Sequence, residues 1–156
     1  MRAKFILFSI LSLITISSAF SQDEPVTEEE LMRYATAMDS INEMSAEVIV
    51  LITDMVKNTE LMNAARYNEL SQIIDDKAKL TEANATEEEI AFVNGIAVKK
   101  DEATAQINKA FQNLAKDYVT VPTYTKVKKA LSTDAVLKEK YDALMTELAK
   151  DNPVAQ

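Results

Sequence analysis

The chain has 156 residues, with 25 acidic against 17 basic side chains, no histidine, no cysteine and a net charge of −8. Without cysteine it has no disulfides and no thiol chemistry, and without histidine it lacks the commonest acid–base group and the commonest metal ligand. One glycine and three prolines leave little of what sheets and elaborate loops use for turns, so an all-α chain with short connections is expected.

Arg2 and Lys4 open the chain, and an apolar run follows from Phe5 to Ile16. Ala19 and Ser21 then fit the −3 and −1 places of a signal-peptidase site. The run is shorter than the roughly 20 residues a spanning helix needs. Residues 1–21 are therefore expected to be a cleaved export signal, and 22–156 a single helical-bundle domain without an integral membrane segment. This reading places the protein in the periplasm or outside the cell, with a Gram-negative bacterium as the setting. No cysteine follows the run, which excludes a lipid-anchored form. Cleavage would leave 156 − 21 = 135 residues and, with two basic residues gone, a charge of 15 − 25 = −10. Such a chain repels nucleic acid and anionic lipid, and attracts cationic partners or divalent ions.

Thr27 reads as an N-cap, with Glu30 placed to reach back to it in a capping box. Glu28 to Glu30 also put negative charge at the positive end of the helix dipole. Leu31, Tyr34, Met38, Ile41, Ser45, Val48, Ile52 and Met55 then recur at three- and four-residue steps, predicting a first long helix over about 27–57. Leu61, Met62, Ala65, Leu70, Ile73, Ile74 and Leu80 predict a second helix over about 60–83, after a weak break at Asn58-Thr59. Thr86 to Glu89 repeats the first box, and the stripe from Ile90 to Tyr118 predicts a second long helix over 86–118. Gly95 lies inside it, which suggests close approach of a neighbouring helix. Pro122 should end that helix. Thr123 then caps a short helix to Leu131, and Asp134 opens a last one to about residue 150. The predicted architecture is an antiparallel bundle of two long helices and two or three shorter ones. Val154 to Gln156 should be loose.

The two halves match. Moving Thr27 onto Thr86, a shift of 59, puts Leu31 on Ile90, Tyr34 on Val93, Val48 on Ile107, Glu30 on Glu89 and Glu43 on Glu102. Beyond the long helices the shift becomes 57, and Tyr67, Leu70, Ile74 and Leu80 meet Tyr124, Val127, Leu131 and Leu137. Ile41 falling on Lys100 is a mismatch. The pattern suggests an internal duplication, 27–83 and 86–150, in which two helical units close a core that neither closes alone.

Three segments, Thr27-Glu-Glu-Glu-Leu-Met-Arg-Tyr-Ala35, Ala65-Arg-Tyr-Asn-Glu-Leu70 and Tyr124-Thr-Lys-Val-Lys-Lys-Ala-Leu-Ser-Thr-Asp134 with Leu137, resemble a family of exported all-helical bacterial proteins known only as a domain of unknown function. The likeness covers most of the chain after residue 21 and is closest to Bacteroidetes members. Tyr124, Val127, Leu131 and Asp134 fill the family's recurring places, while Ala135 replaces the proline that often follows the aspartate. The resemblance implies export and helix and supplies no catalytic residue.

Residue chemistry leads to the same place. Glu28–Glu30 and Glu87–Glu89 could hold a divalent cation, but helix capping accounts for them. Asp75-Asp76, beside Lys77 and Lys79, reads as a solvated face. Glu43 and Glu102 could pair across the bundle, but a di-iron site needs Glu-x-x-His on two helices. Tyr34, Tyr67, Tyr118, Tyr124 and Tyr141 read as core-edge residues with their hydroxyls at the rim. Arg66 could meet a buried carboxylate or lie on the surface. Met32, Met38, Met44, Met55, Met62 and Met145 read as core filling ahead of an adaptable binding face. Asn84-Ala85-Thr86 matches a glycan acceptor by coincidence of a helix cap. Nucleophile triads and phosphate loops are absent, so no catalytic, cofactor or metal residue is assigned. The expected role is non-enzymatic: an exported scaffolding or chaperone-like module that binds an envelope protein or a second copy of itself. A carrier of a small apolar ligand is the alternative, and carboxylate-based metal binding a third.

Overall fold

A computed structural model describes residues 24–152. The expected export signal and the expected loose C-terminal residues lie outside them. Among the described residues are six α-helices: α1 (Glu28–Asn58), α2 (Ala64–Ile73), α3 (Lys77–Glu82), α4 (Glu87–Asn113), α5 (Val121–Leu131) and α6 (Ala135–Leu148). A π turn (Leu114–Tyr118) follows α4 and a 3-10 turn (Ala149–Asp151) follows α6. The fold is all-α, and no described helix is long and apolar enough to cross a membrane.

Both long helices start as their sequences dictate. The Thr27 hydroxyl accepts from the Glu30 N–H at 3.1 Å, and Glu30 Oε2 accepts from the Thr27 N–H at 2.8 Å. Thr86 and Glu89 repeat this at 3.1 and 2.9 Å. Each box satisfies two donors that a helix start otherwise leaves open.

Three expected boundaries need correction. The predicted helix over 60–83 is two helices. The chain is extended at Thr59, and Asn63 caps α2 by accepting from the Arg66 N–H at 2.9 Å. It then turns at Ile74 to Asp76, where Asp76 Oδ1 accepts from the N–H groups of Ala78 and Lys79 at 3.1 and 3.2 Å. Asp76 thus caps α3 while its carboxylate also pairs with the exposed Lys79 on the expected solvated face. A straight helix would carry Leu80 about 15 Å beyond Leu70 along its axis; the turn folds it back onto the same core. The third correction is at Pro122, which does not end the preceding helix but sits in the first turn of α5, where its missing N–H costs nothing. The turn itself is at Thr120, at φ 72° and ψ 143°, and Thr123 lies inside α5 rather than capping it. The bundle accordingly has four short helices.

Gly95 also departs from expectation. A Cβ built there meets nothing within 4 Å, so no neighbouring helix requires the glycine.

Most of the buried apolar residues form two cores that share no member, while Ala35, Val56 and Ile96 are buried outside both. The first joins Leu31, Tyr34 and Ala37 of α1 to Val119 and Val127, with Leu114, Tyr124, Leu137, Tyr141 and Leu144 packed around them. The second joins Met62, Leu70 and Leu80 to Val93 at the start of α4, with Tyr67, Ile74 and Ile90 around them. The start of α1 therefore lies beside the residues that follow α4, and the residues that follow α1 lie beside the start of α4. The long helices run in opposite directions and pack on each other between the cores. Each core takes its long helix from one half of the sequence and its short helices from the other.

Candidate functional site

Three places concentrate side chains with chemistry: the ion pair at the start of each long helix, the tyrosine group in the first core, and the stretch between the cores.

The carboxylates of the two capping boxes are each held by a cation from the opposite half. Glu89 accepts from Arg66 Nε at 2.9 Å and from an Arg66 terminal nitrogen at 3.0 Å, a two-pronged pair. Arg66 also donates to Glu69 at 3.1 Å and to the Ala83 carbonyl at 3.1 Å, which ties α2 to the end of α3. Lys126 Nζ donates to both Glu30 oxygens at 2.9 and 2.8 Å. The Arg66 hydrogen bonds, and then the Thr86 N–H, hold the Glu89 carboxyl down at about 2. Lys126, and then the Thr27 N–H, lower Glu30 in the same direction. Both carboxylates are thus fully engaged by protein donors. Among the described residues no three Asp or Glu side chains come close enough to share a metal ion.

Arg66 was a candidate for a buried carboxylate, and Glu89, 12 % exposed, is that partner. The Lys126–Glu30 pair was missed. Its members are far apart in sequence, and the available signal was the repeat pattern expected from the sequence. Under the shift of 57, Lys126 stands where the first half has Glu69, three residues after Arg66. Residues three apart share a helix face, so the cation reaches its carboxylate from one turn further along in α5 than in α2.

Tyr34 packs on Tyr124 at 5.3 Å and on Tyr141 at 5.8 Å between ring centres, and Phe111 meets Tyr124 edge-on at 5.6 Å. Burial, then the neighbouring Tyr124 and Tyr141 hydroxyls, push Tyr34 up to about 12. Burial, then Asp142 and Asp39, raise Tyr141 as well. These phenols stay protonated at neutral pH and fill space at the core edge. Tyr67 lines the second core as Tyr124 lines the first, while Tyr118 is exposed.

Between the cores the picture changes. No residue of α1 from Ser40 to Met55 is buried, and none of α4 from Ala97 to Asn113. Here α1 carries five apolar residues in succession, Val48 to Ile52. Successive residues turn by about 100°, so such a run covers every side of a helix and one neighbour cannot bury it. Ile49 is 66 % exposed and Leu51 48 %, and they point about 200° apart. Val98 on α4 is 56 % exposed. Along one side of the pair, Met44, Glu47, Val48 and Leu51 line a shallow groove of about 300 Å³ with Ala103, Gln106 and Ile107. Glu43 and Glu102 lie on this same stretch, and Glu102 is exposed. Several methionines expected as core filler are half-buried or exposed, Met44 and Met32 among them.

Comparison of the chain with protein-family models, with curated proteins and with solved structures finds no match.

Proposed function

We propose that this is a non-enzymatic, exported helical protein, built by internal duplication, that works by binding a protein partner at the cell envelope. The observation that carries the reading is the uncovered apolar belt between the cores, centred on Val48 to Ile52 and Val98. Contiguous exposed apolar surface is characteristic of an interaction site. The polar constellations have structural work instead: both capping glutamates are consumed by caps and ion pairs, and Tyr34, Tyr124 and Tyr141 are packed against one another. The likeness of three segments to an exported helical family adds the envelope setting.

The test is capture from envelope extract by the immobilised chain, beside the variant Ile49→Asp with Val98→Asp. The reading expects species recovered by the natural chain and lost by the variant. Recovery of nothing above background, or of the same species by both, overturns it.

A further inference from the structure

We propose that the groove lined by Met44, Val48, Leu51, Ala103 and Ile107 is covered by the same groove of a second copy, so that the stretch between the cores becomes a four-helix bundle in a two-fold dimer. Among the described residues this stretch is only two helices wide, and no side chain from Ser40 to Met55 or from Ala97 to Asn113 is fully buried. Two amphipathic helices facing two others is the smallest arrangement that encloses such stripes.

Size is the first argument for a second copy. About 16 residues of each helix, ~24 Å long, lie between the cores, and two helices side by side are roughly 20 Å wide. Face-to-face contact would cover on the order of 500 Å² on each copy, or about 1,000 Å² in all, which reaches the lower bound for a specific interface. Symmetry is the second. The lining residues correspond under the repeat shift of 59, Met44 to Ala103, Glu47 to Gln106 and Val48 to Ile107. A surface whose two sides carry equivalent positions is suited to pairing with itself.

Charge selects the orientation. Between Ser40 and Asn58, α1 carries Glu43, Glu47, Asp54 and Lys57, a net of −2. Between Ala97 and Asn113, α4 carries Lys99, Lys100, Asp101, Glu102 and Lys109, a net of +1. Laying α1 on the partner's α1 opposes like charges, whereas laying it on the partner's α4 opposes unlike ones. A two-fold axis along the helices achieves the second arrangement with every adjacent pair of helices antiparallel. Because Met44, Glu47, Val48 and Leu51 share the groove with Ala103, Gln106 and Ile107 on helices that run in opposite directions, Glu47 would then stand near the level of the partner's Lys109. Asp54 would stand level with the partner's Lys99 and Lys100.

The experiment uses the full chain, which has no cysteine of its own. Light scattering of the purified natural protein at tens of micromolar should give twice the chain mass. Leu51→Glu should raise the dissociation constant at least tenfold while the helical circular-dichroism signal is kept. Separately, chains carrying Glu47→Cys are mixed with chains carrying Lys109→Cys and oxidised. The mixture should form a covalent pair of unlike chains, and Glu47→Cys alone should form none. A single-chain mass for the natural protein overturns the proposal, as does a dimer untouched by Leu51→Glu. Self-linking of Glu47→Cys without the mixed product overturns the arrangement. If Leu51→Glu does not fold, the cysteine assay decides, since it leaves the apolar face intact. Purified chain is enough for all of this, so the outcome is separate from capture of an envelope partner.

Discussion

Arg66 and Glu89 show how one side-chain pair can carry several structural duties. The guanidinium neutralises the capping carboxylate, ties α2 to α4 and satisfies the Ala83 carbonyl at the end of α3. Glu89 is depressed to about 2, by Arg66 first and the Thr86 N–H second. A carboxyl that is depressed in the folded state adds stability above its unfolded value near 4.5 and loses that contribution as pH falls toward about 2. Glu30, lowered by Lys126, acts in the same direction. The melting temperature should therefore fall between about pH 4.5 and pH 2, and Glu89→Gln should flatten that limb while costing about 2 kcal/mol at neutral pH. Thermal melts of both proteins across this range check it; parallel curves would show that the pair contributes nothing to acid stability. Gly95 makes the opposite case. It is exposed, helical and contacts nothing that a methyl would disturb. Gly95→Ala should stabilise by about 0.5–1 kcal/mol, read as a higher denaturant midpoint at constant slope.

At the scale of elements, the starts of the long helices were legible because a capping box is local: Thr, three residues and a Glu suffice, and no distant contact alters the result. The stripes were legible because they recur at helical spacing. The break at Asp76 was not, because Ile73, Ile74 and Leu80 keep an acceptable spacing whether or not the chain turns between them. What decides is that Leu80 must return to Leu70 and Val93, a tertiary demand invisible in a window of sequence. Pro122 misled for a related reason, since proline ends a helix and begins one equally well. The strain falls two residues earlier, at Thr120, a β-branched residue at φ 72°. That conformation belongs almost wholly to glycine, and the Thr120 hydroxyl offsets it only through a 3.2 Å bond to Thr123. Thr120→Gly should thus raise stability by about 1 kcal/mol. An unchanged or lower midpoint would mean that the hydroxyl contact outweighs the strain. The candidate site was the least legible part. Val48 and Ile52 read as part of a stripe facing a bundle core, and only the structure shows that, among the described residues, this stretch of α1 leaves no side chain fully buried.

For the whole molecule, the decisive feature is that two cores without a common residue are joined by two helices that leave no side chain fully buried from Ser40 to Met55 or from Ala97 to Asn113. Cooperativity between folding units rests on shared buried contacts, and here the coupling passes through the helical hydrogen bonds of α1 and α4 and the half-buried contacts between them. Each core also has the composition of a very small domain, with few large side chains fully buried: Leu70 in one, Val119 and Val127 in the other. Local opening of one end should therefore be possible while the other stays closed, as separate cooperative units. Leu70→Ala removes the largest buried side chain of the second core, a change that costs about 2–5 kcal/mol in a packed interior. Native-state hydrogen exchange should then speed up at least tenfold for amides of α2, α3 and the first turns of α4. Those of α5 and α6 should keep their rates. Val127→Ala should give the mirror result, with α5 and α6 accelerated and α2 and α3 unchanged. Uniform acceleration along the chain in either variant would show one cooperative unit, and would mean that the stretch between the cores transmits stability. A second copy packed on that stretch would do so, because its bundle would run from one core to the other. Repeating the exchange on Leu51→Glu, where the dimer is weakened, separates the cases: uniform exchange that becomes local in this background places the coupling in the dimer contact and not in the chain.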